Sequence, residues 1–350
     1  MPAKHLASAL LFTAALSACT PDNGTQNAAS GSGDKTGSVK LLNVSYDVAR
    51  DLYKDFNPLF TAEYKKQHNG ADIAVQQSHG GSSKQALAVA NGLKADVVTM
   101  NQGSDIELLV KKGLVKADWQ KAFPNNAVPF TSTTVFLVRK GNPKQIKDWN
   151  DLTQDNLKIV IANPKVTGNG RYTFLGAYGY GLKANNNDDA KAREYVKKML
   201  SKVEVFENGG RAATTTFVQR QIGDVLVTFE NEARLAAKQF GEGQFEVVYP
   251  AYSVRMESPV AVVDSVVDKR GTREAATAYL KYLWSKEAQE LGASLYLRPA
   301  NPEVLAAHAD TLPPVETFRP TDVFGPWKEI MPKYFGDGGV FDQLMKSPAK

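Results

Sequence analysis

Apolar residues recur along this chain at two spacings that alternate. Short apolar runs with β-branched residues read as buried strands: 40–46, 71–75, 95–100, 157–162, 203–206, 224–229 and 245–249. Between them, apolar positions fall three and four apart, as in Leu52, Phe56 and Phe60, or Ala86, Val89, Ala90 and Leu93. That spacing puts them on one face of a helix. Asp47 stands where the first helix needs a cap, and Asn57-Pro58 can restart it. Ser104 reads as the cap of a helix over 105–112 that Gly113 ends. Further helices are expected over 188–200, 216–221, 230–240 and 271–291, the last ended by Gly292. Two longer extended runs, 130–139 and 255–264, interrupt the alternation.

Strand-helix alternation predicts an α/β fold of mainly parallel sheets with helices on both faces. The two extended runs divide it into two lobes linked by paired crossovers. Residues 39–129 and 255–350 are assigned to lobe 1 and residues 130–254 to lobe 2. The tail over 324–341 is rich in aromatics and is expected to pack on a lobe. A length of 350 residues agrees with two cores rather than one.

Residues 1–18 carry Lys4 and a short apolar stretch from Ala7 to Leu16, which reads as a secretory signal. It ends in Leu16-Ser17-Ala18-Cys19 and resembles a bacterial lipobox, which implies lipidation of Cys19 and anchoring to a membrane. Residues 20–38 are polar and lack periodicity, as in a flexible tether.

Composition narrows the function. Hydrophobic residues make up 43% and charged residues 23%, as in ordinary globular proteins. The formal charge is +5 with no basic block, so nucleic acid is not indicated. A single cysteine excludes an internal disulfide framework and any multi-cysteine metal site. The four histidines show no metal-ligand spacing, and His79 beside two glycines reads as structural. No metal or other cofactor is expected. Glu230 and Glu232 suggest paired catalytic acids, but residues two apart do not share a helix face.

Four turns lie between a strand and a helix: Tyr46-Asp47, Gly80 to Ser83, Thr167 to Gly170 and Gly209 to Arg211. First-turn N–H groups of a helix have no partner inside it and sit at the positive end of its dipole. Such turns hold anions. In parallel sheets they fall at the carboxyl ends of the strands, where ligands bind. Two turns come from each lobe, so they can face one another across a cleft. Ser82 and Thr167 could add hydroxyls. Charge-assisted hydrogen bonds contribute about 1.5–3 kcal/mol each, so several could hold a bare tetrahedral dianion. A site made of donors favours sulfate over phosphate, which keeps a proton and needs an acceptor. From pattern alone, the turns fit equally well as ordinary helix caps in an α/β enzyme. Arg171 and Arg211 follow two of the turns and are expected to pair with carboxylates such as Glu230 or Glu232.

Several segments closely resemble the bacterial periplasmic sulfate/thiosulfate-binding proteins. They include Leu41 to Asp47, Gln77 to Ser82, Ala95 to Thr99, Val135 to Lys144, Gly223 to Val227 and Ala278 to Leu283. The resemblance covers roughly residues 39–345. It implies a two-lobed periplasmic-binding-protein fold of the type with two crossovers. It also implies capture of sulfate or thiosulfate and delivery to the membrane subunits of an ABC importer, by a protein expected to be monomeric.

By motif, the resemblance assigns the ligand to backbone N–H groups of Asp47, Ser82, Gly168, Asn169 and Gly210, with the hydroxyl of Thr167. The family reads Ser-Gly-Gly where this chain has Thr167-Gly168-Asn169. Its sulfate binders have Ala at Gly210. Sulfate-specific members carry Trp, with an indole donor, at Phe229, whereas thiosulfate-type members resemble this chain in having Phe. The main alternatives are a hydrolase of sulfate or phosphate esters, for which no nucleophile and base stand together, and a surface adhesion or sensor protein using the exterior of the same fold.

Overall fold

The computed structural model describes residues 38–240 and 243–346. Its strands are β1 (Val39–Tyr46), β2 (Ile73–Gly80), β3 (Val97–Thr99), β4 (Phe130–Arg139), β5 (Ile159–Ala162), β6 (Val203–Glu207), β7 (Val225–Phe229), β8 (Phe245–Val248), β9 (Tyr252–Glu257), β10 (Val260–Val262), β11 (Arg298–Pro299) and β12 (Glu316–Phe318).

Two sheets result. In the first, β1 lies between β2 and β3, parallel to both, and β10 adds antiparallel to β3. The second has the order β12-β9-β4-β7-β5-β6, with β8 and β11 also on β4. There β5, β6 and β7 are parallel, but β4 runs against β7, β8, β9 and β11. The second sheet is therefore mixed rather than mainly parallel. The long strand β4 enters it from the other lobe and runs opposite to the βα series it joins. The chain leaves the first sheet between β3 and β4 and returns between β9 and β10.

Each sheet has its own aromatic packing. Beside the first, Phe56 and Phe60 each meet Tyr279 edge to face, with ring centroids 5.2 and 5.0 Å apart. Beside the second, Phe174 and Tyr178 on the helix Gly168–Ala184 meet Tyr334 and Phe341 of the tail. Each such ring contributes about 1.5–3 kcal/mol through burial. β12 continues the second sheet through β9, and the final helix Val340–Lys346 packs beside the helices of that sheet.

Local signals also differ from expectation. The helix Arg50–Gln67 runs through Pro58 without restarting. Pro58 and Lys54 are exposed, so water can satisfy the carbonyl that Pro58 leaves unpaired. The helix Gly103–Lys111 starts before Ser104, and Gln102 at its cap makes no side-chain cap bond. The expected helix over 271–291 is two, Arg273–Tyr282 and Lys286–Ser294, with Ser285 accepting from the Ala288 amide at 3.1 Å. Gly292 lies inside the second of these. A methyl group there would fall 2.2 Å from the Phe130 ring, so close packing explains the glycine.

Candidate anion site

Three helices begin at the same place. Ser82–Ala90 follows β2, Gly168–Ala184 follows β5, and Gly210–Val218 follows β6. The third starts at the glycine itself, six residues before the sequence pattern suggested, so the Gly210 amide belongs to a first turn. Contacts across the lobes show how near the starts are. A methyl group on Gly168 would lie 2.0 Å from Asn101 Oδ1. One on Gly210 would lie 3.1 Å from Asn169 Nδ2 and from Val48 Cγ1, and one on Gly209 would lie 2.9 Å from Asp47 Oδ2. The backbone amide of Asn101 donates to Ser82 Oγ at 3.1 Å. Asp47, Ser82, Gly168, Asn169 and Gly210 thus gather in one region. As first-turn amides, those of Ser82, Gly168, Asn169 and Gly210 have no acceptor within their helices. None is found elsewhere among the described residues.

The two hydroxyls are engaged elsewhere. Ser82 Oγ donates to Asp105 Oδ2 at 2.5 Å. Thr167 Oγ1 donates to the Asn163 carbonyl at 2.9 Å and accepts from the Gly170 amide at 3.0 Å, as the cap of its helix. Their protons point into the protein, so in this arrangement the amides, not the hydroxyls, are the donors left over. Asp47 does not cap the helix that follows it. Its carboxylate accepts from its neighbour Val48 and, at 3.3 Å, from the Arg211 amide in the other lobe. Burial raises the pKa of this carboxyl, while those two amides and the Arg211 charge oppose the shift.

Two arginines tie the lobes together. Arg211 holds Asp51 at 2.6 Å and Glu232 at 3.0 Å. The expected Glu232 pairing is thus present, with a second carboxylate from the opposite lobe. Glu232 is fully buried, and desolvation pushes its carboxyl up to about 7 against the pull of Arg211. Among the described residues, Arg171 meets no carboxylate directly. It donates to the Pro164 and Lys165 carbonyls and, across the cleft, to Ser83 Oγ at 2.5 Å. Ser83 donates in turn to Asp105 at 2.7 Å. Glu230 pairs instead with Arg298, at 2.6 Å.

Phe229 ends β7 fully buried, with Tyr172 edge-on at 5.7 Å. Its neighbour Thr228 accepts from Asn169 Nδ2 at 3.0 Å. His79 bonds through both ring nitrogens, to Ser45 Oγ and Gln77 Oε1. A carboxamide oxygen cannot donate, so Nε2 carries the proton and Nδ1 accepts. Burial, then the Arg50 charge, lowers its pKa to about 4 and keeps it neutral. A cavity of about 580 Å³ lined by Arg255, Arg298 and Arg319 lies along β4 and β9. None of the gathered amides lines it, and Arg298 and Arg319 are bound to Glu230 and Asp322.

Sequence reasoning missed Asn101, Asp51 and Asp105, and named Ser83 only as the end of a turn. The first had a signal: it follows β3 at the carboxyl end, the position that brings the other turns to the site. Cys19 lies outside the described residues.

A model of bacterial extracellular solute-binding proteins matches residues 44–293. The chain belongs to that family. Over 305 residues it is 58% identical to a thiosulfate-binding protein of Pseudomonas aeruginosa, covering 87% of this chain and 91% of the relative. It is 47% identical over 308 residues to a sulfate-binding protein of Escherichia coli K12, covering 88% and 93%. Among solved structures, the sulfate-binding protein SubI from Mycobacterium tuberculosis H37Rv superposes with a TM-score of 0.76 at 31% identity, over 85% of this chain and 99% of that one.

Proposed function

We propose that this protein captures sulfate and thiosulfate between its lobes and delivers them to an ABC importer. The anion is held by the main-chain amides of Asp47, Ser82, Gly168, Asn169 and Gly210, beside Phe229 and the Thr167 cap. The observation that carries this reading is the meeting of three helix N-termini from both lobes, with first-turn amides left unpartnered. The two named relatives bind thiosulfate and sulfate, in agreement with it. The charges around the site, Arg171 and Arg211, hold the lobes together and leave the dianion to dipoles and N–H donors.

On this reading the protein binds its ligand unchanged, works as a monomer in the periplasm, and is anchored to the membrane through lipid on Cys19. Calorimetric titration of the purified protein tests the ligand. Sulfate and thiosulfate should bind and hydrogen phosphate should bind at least tenfold more weakly. Absence of binding by both sulfur anions would overturn the proposal. Intact mass of the mature protein tests the anchor, which predicts a diacylglyceryl increment on an N-terminal Cys19.

A further inference from the structure

Asn101 is 2% exposed, yet its side chain makes no hydrogen bond to any described residue. Its Oδ1 is a buried acceptor without a partner. With neither end of the carboxamide held by a described residue, its place in the fold decides what it can meet. The Asn101 backbone binds Ser82 Oγ, and its carboxamide lies against the Cα of Gly168, within 2.0–2.7 Å of where a methyl group there would be. It therefore reaches from the first-sheet lobe to the helix start of the other lobe, among the amides assigned to the anion.

We propose that Asn101 is a ligand-contacting residue that donates a side-chain N–H to the bound anion. This rests on the anion site proposed above and adds to it a donor that is not part of the main chain. A carboxamide turned by 180° about its last bond exchanges Oδ1 and Nδ2 at no cost in shape, and no protein hydrogen bond fixes one orientation here. A dianion selects the orientation that presents Nδ2. Phe229 offers no donor, so a polar side chain from the other lobe supplies a bond the apolar ring cannot. Because this donor moves about two side-chain torsions, it can follow an acceptor that sits farther out, such as the terminal sulfur of thiosulfate, more readily than a helix amide can.

Two variants and one spectrum test this. Asn101→Ala should weaken thiosulfate binding about ten- to hundredfold, the range for one hydrogen bond to a charged group. Asn101→Asp has the same shape but a negative charge, and should bind at least tenfold more weakly still at pH 7.5. A purely packing role would not distinguish charge in this way. In the unmodified protein labelled with ¹⁵N-asparagine, saturating thiosulfate should shift the Asn101 Nδ2 proton resonances, identified by their absence in Asn101→Asp. The spectrum needs no folded variant beyond that assignment. An affinity for the alanine variant within threefold of the unmodified protein would overturn the inference, as would an aspartate variant equal to it or unmoved resonances. If the unmodified protein binds neither anion, the anion reading itself fails and this inference falls with it.

Discussion

The Arg171 guanidinium donates to the Ser83 hydroxyl at 2.5 Å, joining the helix that starts at Gly168 to the helix that starts at Ser82. Asp105, buried behind Ser83, accepts from it at 2.7 Å and from Ser82 at 2.5 Å. Burial raises the pKa of the Asp105 carboxyl, and the charge of Arg171 is the first influence holding it down. Arg171 therefore acts on the closed arrangement and on the charge state of Asp105. Replacing Arg171 with Ala should speed thiosulfate release about tenfold or more, since it removes a bond between the lobes and leaves a buried carboxylate without its cation. Stopped-flow displacement measures that rate. Lysine should restore it only in part, because it lacks the guanidinium fork.

Gly168 and Gly210 should respond differently to the same methyl group. At Gly168 the added carbon would lie 2.0 Å from Asn101 across the cleft. Gly168→Ala is therefore expected to push the Asn101 carboxamide aside and lower affinity about ten- to hundredfold, with melting of the unliganded protein shifted by only a few degrees. At Gly210 the nearest atoms are 3.1 Å away, and Gly210→Ala should cost less than tenfold. Calorimetry and thermal melts on both variants make the comparison.

Phe229→Trp adds an indole N–H at a fully buried position. The larger ring overpacks the site and should lower stability by about 1–3 kcal/mol. The new donor should raise the ratio of sulfate to thiosulfate affinity about tenfold, the effect of one hydrogen bond to an anion. Parallel titrations with the two anions check this.

Glu232 gives a pH dependence with a definite sign. Its folded pKa, about 7, lies above the ordinary carboxyl value of 4.5. The folded protein thus holds a proton that the unfolded chain has released, so this contribution is present below about pH 4.5 and is lost as pH rises through 7. Glu232→Gln should remove that loss. Between pH 5.5 and 8 the unmodified protein should lose about 1–3 kcal/mol relative to the glutamine variant, as read from urea unfolding at each pH. His79 acts in the opposite sense. Its pKa is lowered to about 4, so its contribution is complete above about 6.5 and fades as pH falls toward 4. A His79→Gln variant should show a smaller loss of stability between pH 6.5 and 4.5 than the unmodified protein.

How far the fold could be read from residues depended on whether the deciding contact was local. β1 and β4 were legible because unbroken apolar runs such as Val135 to Val138 leave few options but a buried strand. The break at Leu283 to Ser285 was not, because Leu280 and Leu283 keep helical spacing across it and only the Ser285 cap marks the restart. Gly292 looked like a helix stop, yet its reason is the Phe130 ring, far away in sequence. The ring partners of the tail were not legible either, because Tyr334 and Phe341 carry no record of meeting Phe174 and Tyr178.

The site divides in the same way. Glycine and serine turns after strands announced Ser82, Gly168 and Gly210, since backbone donors at helix starts follow from local geometry. Hydroxyl directions did not follow. Ser82 turns toward Asp105, 23 residues on, and Thr167 toward a carbonyl four residues back. Asn101 has no glycine turn to mark it, and only the packing of one lobe on the other exposes its unpaired carboxamide.

The central claim is that main-chain amides from both lobes share one tetrahedral anion. A crystal structure grown with thiosulfate tests it most directly. The account predicts an oxyanion whose oxygens lie within about 3.2 Å of the amide nitrogens of Ser82, Gly168 and Gly210 at once. An anion bound to one lobe alone, or held by the arginine side chains with those three nitrogens out of reach, would contradict it.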